Sequence, residues 1–300
     1  MSAATTERPT QGSTPARRPA AAPRRRRRRS PADWLLLGGA ALVGLLIAVP
    51  FLLILVNSFK SPTDYSTGGP LSLPTSLYTD GIVAFWERVN FPQKLLNSFV
   101  ISGSVAVLAV LLSVLNAFAL GIGRVKGRMW IVLLILLANM LPQEVLLYPL
   151  YFMFKEVGLY NTIWPVIIIF TVIQSAFGTY LLASVYGTFP KEMLEAAALD
   201  GANRRQILWR VVLPNVRPTL AVLLVFFFIW TWNEFLIPLT FLVSNAVQTV
   251  PVAVTVLQGD RMMDVTTTSA SALLGLIPTL VFFLIFQRTL TRGITAGAVK

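Results

Sequence analysis

The sequence predicts an all-α integral membrane protein with six transmembrane helices, and three observations carry that expectation. Hydrophobic residues make up 55% of the 300, and charged residues only 13%, about half the share usual in soluble domains. Six apolar segments, at about 34–56, 98–120, 130–152, 162–185, 220–243 and 268–286, each reach the roughly 20 residues a helix needs to cross a hydrocarbon core. The loops between them alternate between positive and neutral, the pattern expected when a chain re-enters the same compartment at every second turn.

The first 33 residues are a separate region. Nine Arg (Arg8, Arg17, Arg18 and the run Arg24 to Arg29) stand against Glu7 and Asp33, so this segment holds +7 of the net +12. Clustered arginines can bind nucleic-acid phosphates, but here an apolar 23-residue segment follows at once. The favoured reading is therefore a disordered cytoplasmic tail that fixes topology and is drawn to anionic lipid, with no nucleic-acid partner. The 34–56 segment is longer than the 7–15 apolar residues of a signal peptide, and no A-x-A cleavage site follows it. It is expected to be an uncleaved first transmembrane helix.

Residues 57–96 balance Lys60, Arg88 and Lys94 against Asp64, Asp80 and Glu87 and are rich in Pro and Gly. They read as an external loop with short helices at most. The 121–129 loop carries Arg124, Lys126 and Arg128 with no acid, and the 186–219 loop carries five cations against three acids. The 153–161 and 244–267 loops are near neutral. Both termini, including a tail at 289–300, and the 186–219 loop are thereby assigned to the cytoplasm. Pro50, Pro142, Pro149, Pro165, Pro238 and Pro278 sit in or beside spans, where each removes a helix hydrogen bond and invites a kink.

The most informative segment is 190–214, PKEMLEAAALDGANRRQILWRVVLP. Pro190 suits a helix start, Lys191 to Leu199 are good helix formers, and Gly201 fits a left-handed residue closing that helix. A second helix over about 203–212 places Ile207, Leu208, Val211 and Val212 on one apolar face, with Pro214 and Pro218 stopping it before the next span. An amphipathic helix lying on the membrane surface would account for this second half. It would not account for Glu195-Ala196-Ala197 followed by Asp200-Gly201, Ile207 and Leu213-Pro214 at this spacing.

That series resembles the EAA loop of ABC-importer permeases. Further residues resemble the carbohydrate-importer, maltose-type branch: Asn97-Ser98, Ala117-Phe118-Ala119-Leu120, Gly127-Arg128, Gly158 to Thr162, Trp232-Asn233-Glu234-Phe235, and the ending Gln287-Arg288, Gly293 and Thr295 to Lys300. The resemblance covers about 45–300. Phe118 departs from it, standing where the branch often has Tyr. It implies a type I importer fold over 97–288 with a coupling loop at 190–214, in the bacterial cytoplasmic (inner) membrane. It also implies three partners: a second, homologous permease, a dimer of ATP-binding cassette ATPases, and an external solute-binding protein. No G-x-x-x-x-G-K-[ST] occurs, so the chain is expected to hold no cofactor itself, ATP being bound by the ATPase.

On that resemblance Glu195 would meet a basic residue of the ATPase, Ala196 and Ala197 would touch it, and Gly201 would hold the turn. Ile207, Leu213 and Pro214 complete the pattern. Asp200 has three readings: it caps the second helix, pairs with Arg204 or Arg205, or stands solvated. Glu144 and Glu234 are acids within expected spans, which makes them functional candidates. They would bond sugar hydroxyls with Asn233 and with Trp232 or Trp230 stacking on the ring, or else would be hydrated residues at span ends.

The absence of Cys removes disulfides and thiol chemistry, and the absence of His removes the commonest general base. Both argue against an enzyme. A secondary transporter is a poorer reading, because no internal repeat is visible and the best-patterned acids lie in a loop. The substrate is read as a carbohydrate, with glycerol phosphate, a polyamine or another small solute as alternatives.

Overall fold

The computed structural model describes residues 31–123, 125–258 and 264–298. The Arg-rich expectation for the N-terminal tail falls on residues 1–30 and so lies outside the described residues. Every regular element among the described residues is helical. Five helices are long and apolar enough to cross a membrane, or six if one bent pair counts as a span.

The chain divides into two units at Val49 and Pro50. In the first, residues 31–49 form one apolar helix, the start of α1 (Pro31–Asn57). The second begins with the end of α1 and a folded segment around Lys60. That side chain is fully buried, and its ammonium donates to Gly69 O at 2.9 Å, which satisfies a charge that burial alone would make costly. Helices α2 (Pro62–Gly68) and α3 (Asp80–Val89) lie in this segment. The N–H and hydroxyl of Thr75 both donate to Asp64, holding its carboxyl below the usual range.

The centre of the second unit is α4 (Phe91–Gly121) against α7 (Trp164–Gly187), with α10 (Leu213–Trp232) on α4. Small residues make this close approach possible. Ala106, Ala109 and Ala117 of α4 are fully or almost fully buried. A Cβ on Gly178 would come within 2.2 Å of the Ser113 hydroxyl and 2.9 Å of the Phe227 ring, so α4, α7 and α10 meet there over a bare backbone. The same core takes in Leu182, Tyr186, Leu208, Val212, Val216 and Leu223.

The start of α4 is tied to a distant segment. Lys94 donates to the backbone and side-chain oxygens of Asn245, Asn97 donates to Ala246 O and Gln248 O, and Ser98 Oγ accepts from Val250 N–H. These bonds pin the short α12 (Val250–Gln258) across the head of α4.

Helix α4 begins at Phe91, inside the expected 57–96 loop, and three further spans depart from the sequence expectation. The 130–152 span is broken into α5 (Arg128–Asn139) and α6 (Gln143–Glu156), bent by 90°. Pro142 is the cause: it has no N–H for the Ala138 carbonyl, and it disfavours a helical Leu141. Pro149 lies inside α6 without ending it. The 220–243 span ends at Trp232, and after a three-residue turn a separate short helix, α11 (Leu236–Phe241), follows. The last helix runs on past 286, so backbone expected to form a distinct tail from 289 continues α13 (Val265–Ala298).

Candidate functional site

The 190–206 backbone is organised by local hydrogen bonds. Pro190 (φ −57°, ψ 120°) precedes α8 (Lys191–Leu199). The helix closes with two bonds, Ala202 N–H to Ala197 O at 3.0 Å and Gly201 N–H to Ala198 O at 3.1 Å. This paired closure requires a left-handed residue, and Gly201 supplies it at φ +79°. Two residues later Asn203 starts the next helix through a reciprocal box. Its side chain accepts from Gln206 N–H at 2.9 Å, while Gln206 Oε1 accepts from Asn203 N–H at 2.8 Å.

The cap is therefore Asn203, and Asp200 does not cap the second helix. Nor does Asp200 pair with Arg204 or Arg205: its exposed carboxylate makes no hydrogen bond or ion pair among the described residues, and only its N–H is used, to Ala196 O. The cap was readable in advance from Asn-x-x-Gln, which begins two residues beyond the glycine.

The expected stop at Pro214 is also absent. From α9 (Arg204–Gln206) the chain passes through a π-helical turn at Ile207–Val212 directly into α10, giving one helical rod over Arg204–Trp232. The wider turn, marked by Leu213 N–H bonding to Leu208 O, relieves the clash that Pro214 would make with the preceding turn. Asn215 Nδ2 donates to Val211 O at 2.7 Å, supplying a partner within the distorted ladder. Leu208 and Val212 are buried in the main core, with Leu194, Ile207 and Leu213 packed against it.

The other side of α8 has no cover among the described residues. Ala196 is exposed, Ala197 is partly so, and Leu199 is 89% exposed beside Met193 at 43%, while Glu195 and Ala198 are exposed toward the ends of α4 and α7. A cluster of exposed apolar and small side chains on a rigidly capped helix marks an interaction surface.

At the other end of the rod lies a cavity of about 630 Å³ lined by Phe226, Ile229, Trp230, Asn233, Glu234, Phe235 and Leu236. Trp230 Nε1–H donates to Glu234 Oε1 at 3.1 Å, one helical turn apart, so an indole face and a carboxylate are held side by side. Asn233 lines the cavity, with its Nδ2 donating to Ile229 O at 2.7 Å. Glu144, exposed in the first turn of α6, is near enough to Glu234 for the two carboxylates to repel.

Trp232 is placed elsewhere. It is 3% exposed and packs among Phe99, Phe228 and Phe282, with ring centroids 5.0–5.8 Å away. Of the two tryptophans only Trp230 reaches the cavity. Helical spacing was the available signal, since residues four apart share a face and residues two apart do not.

Comparison with known proteins agrees with this architecture. The family of binding-protein-dependent transport system inner membrane components matches residues 116–295. The melibiose/raffinose/stachyose import permease MelC of Bacillus subtilis is 29% identical over 87% of this chain and 94% of its own length. The arabinooligosaccharide permease AraQ of Halalkalibacterium halodurans is 31% identical over 89% of this chain and 96% of its own. The trehalose/maltose permease MalG of Thermococcus litoralis is 30% identical over the same shares. A crystal structure of a bacterial ABC transporter that imports the acidic polysaccharide alginate contains a chain of the same fold, with a TM-score of 0.73 at 21% identity, covering 87% of this chain and 98% of that one.

Proposed function

Because the chain belongs to the family of binding-protein-dependent transport system inner membrane components, a family of transport permeases and not of enzymes, we propose that it is one permease subunit of an ATP-driven carbohydrate importer. The relatives named for melibiose, arabinooligosaccharides and trehalose or maltose support a sugar as the cargo. The 190–214 loop then faces the cytoplasm with both termini, and a separate ATPase dimer binds ATP and docks on α8. A second, homologous permease completes the path, and an external binding protein delivers the substrate.

The observation that carries this reading is the continuity of Arg204–Trp232. At 1.5 Å per residue the rod is about 40 Å long, with the exposed helix-turn-helix at one end and the Trp230–Glu234 cavity at the other. A displacement of α8 reaches the rod through the capped 200–203 turn and through Leu194, which packs on the core that holds Leu208 and Val212, and from Arg204 to Trp232 no loop interrupts it. At the far end Trp230 offers an apolar face for a sugar ring and Glu234 accepts from its hydroxyls.

The test is purification of the whole complex in mild detergent, followed by ATPase assays with the binding protein that travels with it. A second permease and an ATPase should co-purify, and hydrolysis should rise with one class of sugar. Stimulation by glycerol phosphate or a polyamine would move the substrate class. A homo-oligomer without an ATPase would overturn the importer reading in favour of a secondary transporter.

A further inference from the structure

Two adjoining cavities lie where α4 and α7 end. The larger, about 810 Å³, is bounded by residues 121–123 and 125–128, the end of α7 and the inner side of α8. Lys126, Arg128 and Lys191 line it, and the only carboxylate among its described lining residues is Glu195. All three cations are exposed, and none makes an ion pair or hydrogen bond among the described residues. The smaller cavity, about 290 Å³, is an apolar groove running from there between α5 and α7, lined by Met129, Val132, Tyr180, Ala183 and Ser184. Gly121, Arg128 and Gly187 border both. At Gly187 a Cβ would meet nothing within 4 Å, so their shared border has room on that side, while at Gly121 the backbone packs closely on Tyr186.

A cationic chamber at the end of two spans, opening into an apolar groove along one of them, matches one kind of molecule. We propose that it binds an anionic phospholipid, its phosphate against Lys126, Arg128 and Lys191 and an acyl chain in the groove between α5 and α7. Charge complementarity favours an anionic headgroup over a zwitterionic one, since the described lining carries three cations against one carboxylate. The groove distinguishes a lipid from a free phosphate, which has no use for an apolar channel. Glu195 and Ala198 of α8 form part of the chamber wall, so the bound headgroup braces the helix that carries the exposed interaction surface.

The test uses the whole complex in phosphatidylcholine nanodiscs containing a minor fraction of phosphatidylglycerol, with retained lipid counted by native mass spectrometry. One phosphatidylglycerol is expected to stay with this subunit. Lys126→Gln, Arg128→Gln and Lys191→Gln should each weaken its retention about fivefold, the equivalent of about 1 kcal/mol per charge. Ser184→Trp, which fills the groove from an exposed position and leaves the cations intact, should weaken it as well. Equal retention by all variants would overturn the proposal. Displacement of the lipid by excess inorganic phosphate, with Ser184→Trp behaving as wild type, would identify a phosphate site and overturn it too. Retention only after the ATPase is stripped away would mean that a protein covers the chamber, with the same consequence. The readout is bound lipid, so it stands or fails independently of the transport reading.

Discussion

The two ends of the Arg204–Trp232 rod are built by different means. At the first end, caps and turns made from neighbouring residues set the geometry: Gly201 closes α8, and Asn203 with Gln206 opens the next helix. At the second end helical spacing puts the two tryptophans on different faces, but which face meets the cavity is set by distant rings. Trp230 and Trp232 are two residues apart; packing against Phe99, Phe228 and Phe282 takes Trp232 inward, while Trp230 stands beside Phe177 and Phe226 at the cavity. One end is stiff because its hydrogen bonds are short-range; the other is specific because its surroundings are.

The sharpest way to break that contrast is to remove the tryptophans one at a time. Trp232→Ala empties a fully packed site and should cost about 3 kcal/mol or more of stability, seen as a lower unfolding temperature and less protein in the membrane. Trp230→Ala should cost less stability, because that half-buried ring has Phe177 and Phe226 on one side only and borders the cavity, yet should lower uptake about tenfold by removing one stacking face. The reverse pattern would mean that Trp232 is the residue on the substrate path.

The next largest effect belongs to the stiff end. In Gly201→Pro the ring fixes φ near −65° where the chain needs +79°, and the N–H that bonds Ala198 O disappears. A cost of about 3 kcal/mol would leave the turn formed in roughly one molecule in a hundred. Substrate-stimulated ATP hydrolysis should fall accordingly while the spans still insert, as checked by membrane abundance. Unchanged stimulation in this variant would remove the turn from the coupling mechanism.

How much was legible in advance follows the same division. The left-handed Gly201, the α8 start after Pro190 and the apolar face of Leu208 and Val212 were readable because each depends on a few adjacent residues. The run through Pro214 was not, since a proline normally ends a helix and only the wider π turn before it permits continuation. Pro142 announced a kink or break in the 130–152 span but not its size of 90°, and the end of α10 at Trp232 was hidden inside an apolar run of adequate length. Hydropathy measures length and composition, and is blind to a bend. The chamber behind α8 was equally unreadable, because Lys126, Arg128 and Lys191 come together only through the ends of α4 and α7.

A smaller effect should distinguish contact from support on α8. Leu199 is 89% exposed, so Leu199→Ser should leave the stability of the subunit almost unchanged. If α8 docks on the ATPase, the same change removes apolar contact and should weaken assembly by about 1 kcal/mol, near fivefold in affinity. Leu208→Ala, only nine positions on but buried in the core, should show the opposite, with stability lost first. Co-purified ATPase per permease and the unfolding temperature separate the two.

The smallest predicted effect asks whether the capping box carries motion or merely shape. Asn203→Ala should cost about 1 kcal/mol of helix start, and Gln206→Ala a similar or smaller amount, since each removes one of two reciprocal bonds. If the box acts as a unit, the double variant should lose little more than either single one. That coupling is measurable as a double-mutant cycle on the unfolding temperature. The same cycle on stimulated ATP hydrolysis is the more informative one. A box that transmits force should lower hydrolysis in proportion to the loosened fraction of the turn, and Asn203→Asp or Asn203→Ser, which can still accept from Gln206 N–H, should restore most of it. Full hydrolysis with a frayed helix start would place the transmission in the buried contacts of Leu208 and Val212 instead, and would make the stiffness of this end a property of its packing.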